Sequence, residues 1–240
     1  TAMIGKWHVG FAAGARPLGR GFDRFYGIWG GQHDFFDPRL GDPTTGMPFD
    51  YDGHVLDQDE PVVAMDYLTD ELTTKSLEFI DAQATTGRPF FLYLAYTAPH
   101  PPLQATWEKL APYAVARGGR FNSRDIVRAM LDSLDAGVGR ILTRLMHLGI
   151  DRETLVLFTS DNGGAEDRDS QPTVQHNGGL RPRKGFLWEG GIRVPFILRW
   201  PGRLPEGAIY RQPVSQLDVF PTVAAACGTA HGVGVGTGTD

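Results

Sequence analysis

The chain has 240 residues, 41% of them hydrophobic and 21% charged, and a formal net charge of -5. That composition excludes a disordered or fibrous chain and leaves no broad basic field to hold nucleic acid. No apolar run approaches the roughly 20 residues that cross a bilayer, and the single cysteine, Cys227, can close no internal disulfide.

The first motif is GKWHVG at 5–10, where Lys6 and His8 stand among glycines; on its own it fits a strand end followed by a turn. Residues 10–60 are rich in Gly, Pro, Asp and aromatics (GFDRFYGIWGGQHDFFDP) without a sustained period, and read as long loops with short strands. Loops of that length in a compact protein usually carry function. The rings from Phe22 to Phe36 can line a sugar-binding cleft or pack on the core.

From Asp66 the pattern is helical, with Leu68, Leu72, Phe79 and Ile80 on one face, Asp70 and Glu71 in the first turn and a stop near Gly87. PFFLYLAY at 89–96 reads as a strand buried on both faces, and it ends in TAPHPPL, which carries His100. A second helix is predicted from about Ser123, striped by Ile126, Met130, Leu134, Ile141, Leu145 and Leu148 and stopped by Gly149.

TLVLFTS at 154–160 is the next buried strand and runs into Asp161-Asn162-Gly163-Gly164. IRVPFILRW at 192–200 reads as a strand, and PTVAAACG at 221–228 as a short helix in which Cys227 is a small buried apolar residue. The last residues, GVGVGTGTD at 232–240, have no packing pattern, and Thr1 already stands inside a motif. Both ends are expected to be cut, so a missing targeting signal excludes no compartment.

Strand, helix, strand, helix, strand in this order indicates an α/β sheet with right-handed crossovers. Ligands of such sheets bind beyond the carboxyl ends of the strands, where His8, His100 and the pair Asp161-Asn162 are delivered. Asp161 and Asn162 offer hard oxygens suited to Ca²⁺ or Mg²⁺, or form an Asp-Asn-Gly turn that satisfies its own backbone. His100, between Pro99 and Pro101, suits acid/base work or anion binding. His33, His54, His147, His176 and His231 read as surface residues, and no Cys/His cluster has zinc spacing. Lys184, after Arg181 and Arg183, can lean over a pocket or belong to a solvated basic face, while Glu189 and Arg193 can pair across the Gly190-Gly191 turn.

Taken in order, GKWH, APH, DNGG and RKG…EGGIRVP resemble the sulfatase family. GFDRFYG at 21–27, PFFLYLAYTAPHPP at 89–102, WPG at 200–202 and VSQLDVFPTV at 214–223 extend the resemblance over about residues 1–228. It implies an alkaline-phosphatase-like α/β sheet with helices on both faces, incomplete at both ends. Residues 1–228 would form part of a sulfatase catalytic domain and 229–240 an unstructured or truncated tail.

It also implies hydrolysis of a sulfate ester, with a carbohydrate sulfate as the expected substrate, using Ca²⁺ (Mg²⁺ as the lesser choice) and a formylglycine made from Cys or Ser. Asp161 and Asn162 match the later pair of metal ligands, and Lys6, His8, His100 and Lys184 the cationic and acid/base residues around the sulfate. By resemblance His100 with Lys184 helps the alcohol leave, and His8 assists release of sulfate near the formylglycine.

The family's Cys/Ser-x-Pro-x-Arg motif and its earlier aspartate pair precede the GKWH element, and this chain has neither. The 240 residues alone are therefore expected to lack turnover, and a secreted, periplasmic or lysosomal parent is expected. Two alternatives remain: a phosphodiesterase or phosphonate hydrolase of the same superfamily, and a non-catalytic relative that binds sulfated sugar.

Overall fold

In the computed structural model, which describes residues 1–39, 54–165, 177–181 and 183–229, β1 (Ala2–Lys6) lies between β2 (Arg24–Ile28) and β5 (Leu92–Ala95) and is parallel to both. Two short antiparallel strands, β3 (Leu56–Asp57) and β4 (Glu60–Pro61), continue the sheet in the order β4-β3-β2-β1-β5. The chain folds as two compact units, Thr1–Ile150 with Ser160–Val194, and Asp151–Thr159 with the described residues from Pro195 onward.

Alternation along β1 and β2 sends side chains to two different cores. Ala2, Ile4, Tyr26 and Ile28 pack with Leu68, Leu72 and Phe79 of helix α1 (Leu68–Thr86), the face forecast by its periodicity. Met3, Phe25, Trp29 and Leu56 pack instead with Trp7, Phe11, Leu18 and Phe22. The rings between Phe22 and Phe36 are thus divided between the two faces, Tyr26 and Phe35 on the first and Phe22, Phe25 and Trp29 on the second, while Phe36 is 45% exposed.

Helix α3 (Ser123–His147) lies on α1 and begins with the Asn122–Asp125 capping box. Helix α2 (Trp107–Ala116) packs on α3 and was not expected, because Pro112 inside it breaks the helical reading. Gly87 and Gly149 end α1 and α3 at φ 63° and 70°, the left-handed geometry expected of a stop.

Several expectations are corrected. PFFLYLAY is not buried on both faces: Phe91 and Tyr93 are 41% and 46% exposed, because the described residues leave part of that face uncovered. Of TLVLFTS, β6 (Val156–Thr159) forms no parallel sheet but pairs antiparallel with β7 (Phe196–Arg199) in the second unit. An apolar run specifies a strand without specifying its partner.

The start of IRVPFILRW belongs to a helical turn, α4 (Glu189–Ile192), and Glu189 and Arg193 pair across it at 2.9 Å. Helix α5 (Val219–Ala226) forms as expected, but it buries none of its residues and leaves Cys227 exposed. His33 is buried rather than superficial; His147 is exposed and His54 half-buried. His176, His231 and residues 230–240 lie outside the described residues. No described helix is long and apolar enough to cross a membrane.

Close strand approach at the centre of the sheet depends on glycine. Gly5 has φ 113°, and a methyl group there would fall on the Ala95 carbonyl of the neighbouring strand. Gly5→Ala is expected to cost about 2–3 kcal/mol, combining a glycine-only conformation with a backbone clash. Urea unfolding measures it, and a cost below about 0.5 kcal/mol would contradict the close approach.

Candidate active site

Because β1 and β5 are parallel neighbours, their carboxyl ends open on the same side of the first unit, and the chain beyond each carries a predicted residue. Lys6 ends β1. The β1–β2 ladder continues past it through the Trp7 and His8 amides, which donate to the Ile28 and Trp29 carbonyls at 2.9 Å each. His8 then takes φ 52°, the left-handed region that non-glycine residues rarely occupy. Its imidazole is exposed on one side and meets the Gly31 backbone on the other.

His100 follows β5 in a loop with cis Ala98-Pro99 and Pro101-Pro102 bonds. Its amide donates to the Thr97 carbonyl at 2.9 Å, and its Nδ1 lies 2.8 Å from the Pro101 carbonyl. A carbonyl can only accept, so Nδ1 carries the proton and Nε2 is left as the nitrogen that can exchange one.

Two further loops bring in the rest of the set. Gly163 donates to the Gly191 carbonyl at 2.8 Å, and its Cα lies so close to Gly190 that a side chain would strike that residue's carbonyl. The Gly164 carbonyl accepts from the Lys184 amide at 3.0 Å and from Asn177 Nδ2 at 3.2 Å, while Asn177 Oδ1 receives the Gly164 amide at 2.8 Å. DNGG and RKG are thereby tied together through backbone, and Asn177 is a fastening residue that the sequence reading missed. Its signal was the Asn-Gly-Gly run, which marks a turn but names no partner.

Electrostatics brings the four elements into one site. Burial, followed by the charge of Lys184, pushes the Lys6 ammonium below its ordinary value, and Asp161 opposes the shift. Burial likewise lowers the His100 imidazole, the Pro101 hydrogen bond opposes it, Lys6 and Lys184 lower it further, and Asp161 again acts the other way. The charges of Lys184 and Asp161 therefore reach both Lys6 and His100, although 178 positions separate the first lysine from the second. His8 stands two residues beyond Lys6 at the same strand end.

Asp161 is exposed, and its Oδ1 takes the Asn162 amide at 2.9 Å; Asn162 Nδ2 donates to the Gly163 carbonyl at 2.8 Å. This turn is the one expected of Asp-Asn-Gly. A carboxylate and an amide oxygen also suit a hard cation, but Ca²⁺ takes roughly six to eight oxygens, so the pair fits as part of a shell. Among the described residues no group of three or more His, Cys, Asp or Glu gathers to complete it.

A buried clamp, also missed by the sequence reading, supports the His100 loop. Asp34, 4% exposed, accepts from the Phe36 and Asp37 amides at 2.8 Å each and from Gln104 Nε2 at 2.6 Å. Gln104 Oε1 accepts the Phe35 amide at 2.8 Å, and the Gln104 carbonyl accepts Tyr67 Oη–H at 2.9 Å.

Comparison with known proteins covers nearly the whole chain. The family model described as Sulfatase matches residues 1–229. Arylsulfatase G of Rattus norvegicus is 32% identical over 96% of this chain and 47% of its own length. N-acetylgalactosamine-6-sulfatase of Canis lupus familiaris is 34% identical, covering 96% and 43%. Among solved structures, Ps i-CgsB in complex with k-i-k-neocarrahexaose superposes with a TM-score of 0.83 at 34% identity, over 95% of this chain and 51% of the other. The chain spans about half the length of these relatives.

Proposed function

The chain belongs to the sulfatase family, and from that premise we propose that it supplies the anion-binding and leaving-group half of a site that hydrolyses a sulfate ester. The observation that carries the reading is that Lys6 at the end of β1, His100 in the loop after β5 and Lys184 beside the DNGG turn come together, so that burial first and then the neighbouring lysine charge lower the proton affinity of Lys6 and His100, with Asp161 acting the other way. A fold that holds like charges at one strand end is preorganised for an anion, and transfer of a sulfuryl group needs positive charge where negative charge develops.

In this reading Lys6 and Lys184 hold the sulfate oxygens as point charges. His100 offers a proton at Nε2 to the departing alcohol oxygen, with Lys184 beside it, and His8 acts at the other side of the sulfur. Asp161 and Asn162 would hold part of the shell of a calcium ion. When present, that ion and a formylglycine would supply, respectively, polarisation of the ester and the nucleophile. The motif Cys/Ser-x-Pro-x-Arg does not occur in the 240 residues, so the nucleophile is assigned to sequence outside them and the 240 residues alone should not turn over an aryl sulfate. The relatives named for an aminosugar sulfate and solved with k-i-k-neocarrahexaose support a carbohydrate sulfate as substrate.

The test uses the isolated chain and the longer protein together. Millimolar inorganic sulfate is expected to raise the melting temperature of the chain, and Lys6→Ala or Lys184→Ala to abolish the rise. In the longer protein Lys6→Ala should lower kcat about 10²-fold. A sulfate-independent melting temperature together with full activity of both lysine variants would refute the assignment. Parallel assays on sulfate and phosphate esters decide between the sulfatase and phosphodiesterase readings.

A further inference from the structure

We propose that Gly31 is a positioning residue for His8: its bare Cα is the seat on which the imidazole rests, and any side chain there would lift the ring out of the site. The proposal rests on the reading of His8 as a group of the sulfate-ester site. A methyl group built on Gly31 would stand 2.8 Å from His8 Cε1, 3.1 Å from Nε2 and 3.2 Å from Nδ1. The two nitrogens are nearly equidistant and only slightly farther than Cε1, which puts the methyl over the ring face rather than beyond its edge.

Three features make the ring, and not the seat, the part that must yield. Gly31 is buried at the end of a run from Phe25 that is buried throughout. The same run is tied to His8 by the amide that donates to the Trp29 carbonyl at 2.9 Å, so the two backbones cannot part without losing a ladder bond. The Trp29 ring is itself held under the Arg16 guanidinium at 3.7 Å, and Arg16 Nε donates to the Phe11 carbonyl at 2.8 Å. His8, in contrast, is an exposed residue whose ring is the end of a side chain with rotatable bonds, so it is the cheaper part to displace. His8 keeps its unusual φ of 52° while its ring lies against Gly31, so the conformation at residue 8 and the glycine at residue 31 go together.

A displacement of about 1 Å in a reacting group can cost on the order of 10²-fold in rate. The experiment compares Gly31→Ala, His8→Ala, the double variant and Gly14→Ala in the longer protein that contains this chain; a methyl on Gly14 meets nothing within 4 Å. Gly31→Ala is expected to lower kcat about 10²-fold with KM nearly unchanged, to cost nothing further in the His8→Ala background, and to displace the His8 Cε1–Hε1 NMR correlation. Gly14→Ala should match the parent in every readout. An equal loss from Gly31→Ala with and without His8 would reveal a merely structural role, and full activity of Gly31→Ala beside a crippled His8→Ala would overturn the seat while leaving His8 in the site. If His8→Ala costs nothing, the catalytic reading of His8 falls, and an undisplaced correlation in Gly31→Ala would then overturn the seat as well.

Discussion

Replacing His100 by alanine is expected to lower kcat for a sulfate ester by about 10²–10⁴-fold, the usual contribution of a positioned proton donor, without loss of fold. The Pro101 carbonyl fixes the proton on Nδ1, so Nε2 alone can serve the leaving group. A pH signature comes with it. Burial and the two lysines hold the imidazole below its ordinary 6.5 in the free site. A proton donor with a lowered pKa is lost as pH rises through that value, and kcat/KM reports the free enzyme. The falling limb of kcat/KM should therefore lie below pH 6.5 and vanish in His100→Ala.

The stability sign is opposite. Because the fold prefers the neutral ring, the unfolded chain takes up the proton first as pH falls. His100 thus costs no stability well above pH 6.5, and its cost grows below that pH until the folded ring is protonated too. A falling limb above pH 6.5, or an unaltered kcat in His100→Ala, would refute the assigned role.

The second large effect is on stability. Asp34→Ala removes the acceptor of three hydrogen bonds in a buried place and leaves the Phe36 and Asp37 amides and the Gln104 amide group without it. Hydrogen bonds to a charged acceptor are worth about 1.5–3 kcal/mol each when broken singly, and losses in one network are not additive. An overall cost of about 3–5 kcal/mol is expected, a fall in melting temperature of roughly 6–20 °C for a chain of this size. Gln104→Leu, which leaves the carboxylate buried and one partner short, should come within about 1 kcal/mol of it. Thermal unfolding checks both; a change under 2 °C in either would mean that the clamp does not join the 34–37 segment to the His100 loop.

How far the chemistry can be read along the chain depends on the residue. Helices α1 and α3 announce themselves because a helix repeats locally every 3.6 residues and its stops, Gly87 and Gly149, need only their own φ. Lys6, His100, Asp161 and Lys184 are each ambiguous alone and are picked out by the ordered motifs GKWH, APH, DNGG and RKG that resemble the sulfatase family. Gly31, Asn177, Asp34 and Gln104 do not stand out. A glycine under a ring and an amide that grips a carbonyl look, in one dimension, like any turn residue, and Asp34 differs from a surface aspartate only in being buried.

Local period and an ordered set of short motifs were enough for the α/β class and the family, and they nominated residue types for an anion site. The sequence also misled in instructive places. Cys227 and PFFLYLAY read as buried, but exposure depends on what packs against a residue, and TLVLFTS could not reveal that its partner is the antiparallel β7. The parallel pairing of β1 with β5, which opens both their ends on one side and sets Lys6 and His100 within reach of each other's charge, is visible in the folded chain alone. Pairing register and backbone proximity are properties of segments tens of residues apart, and no local pattern encodes a distance across that gap.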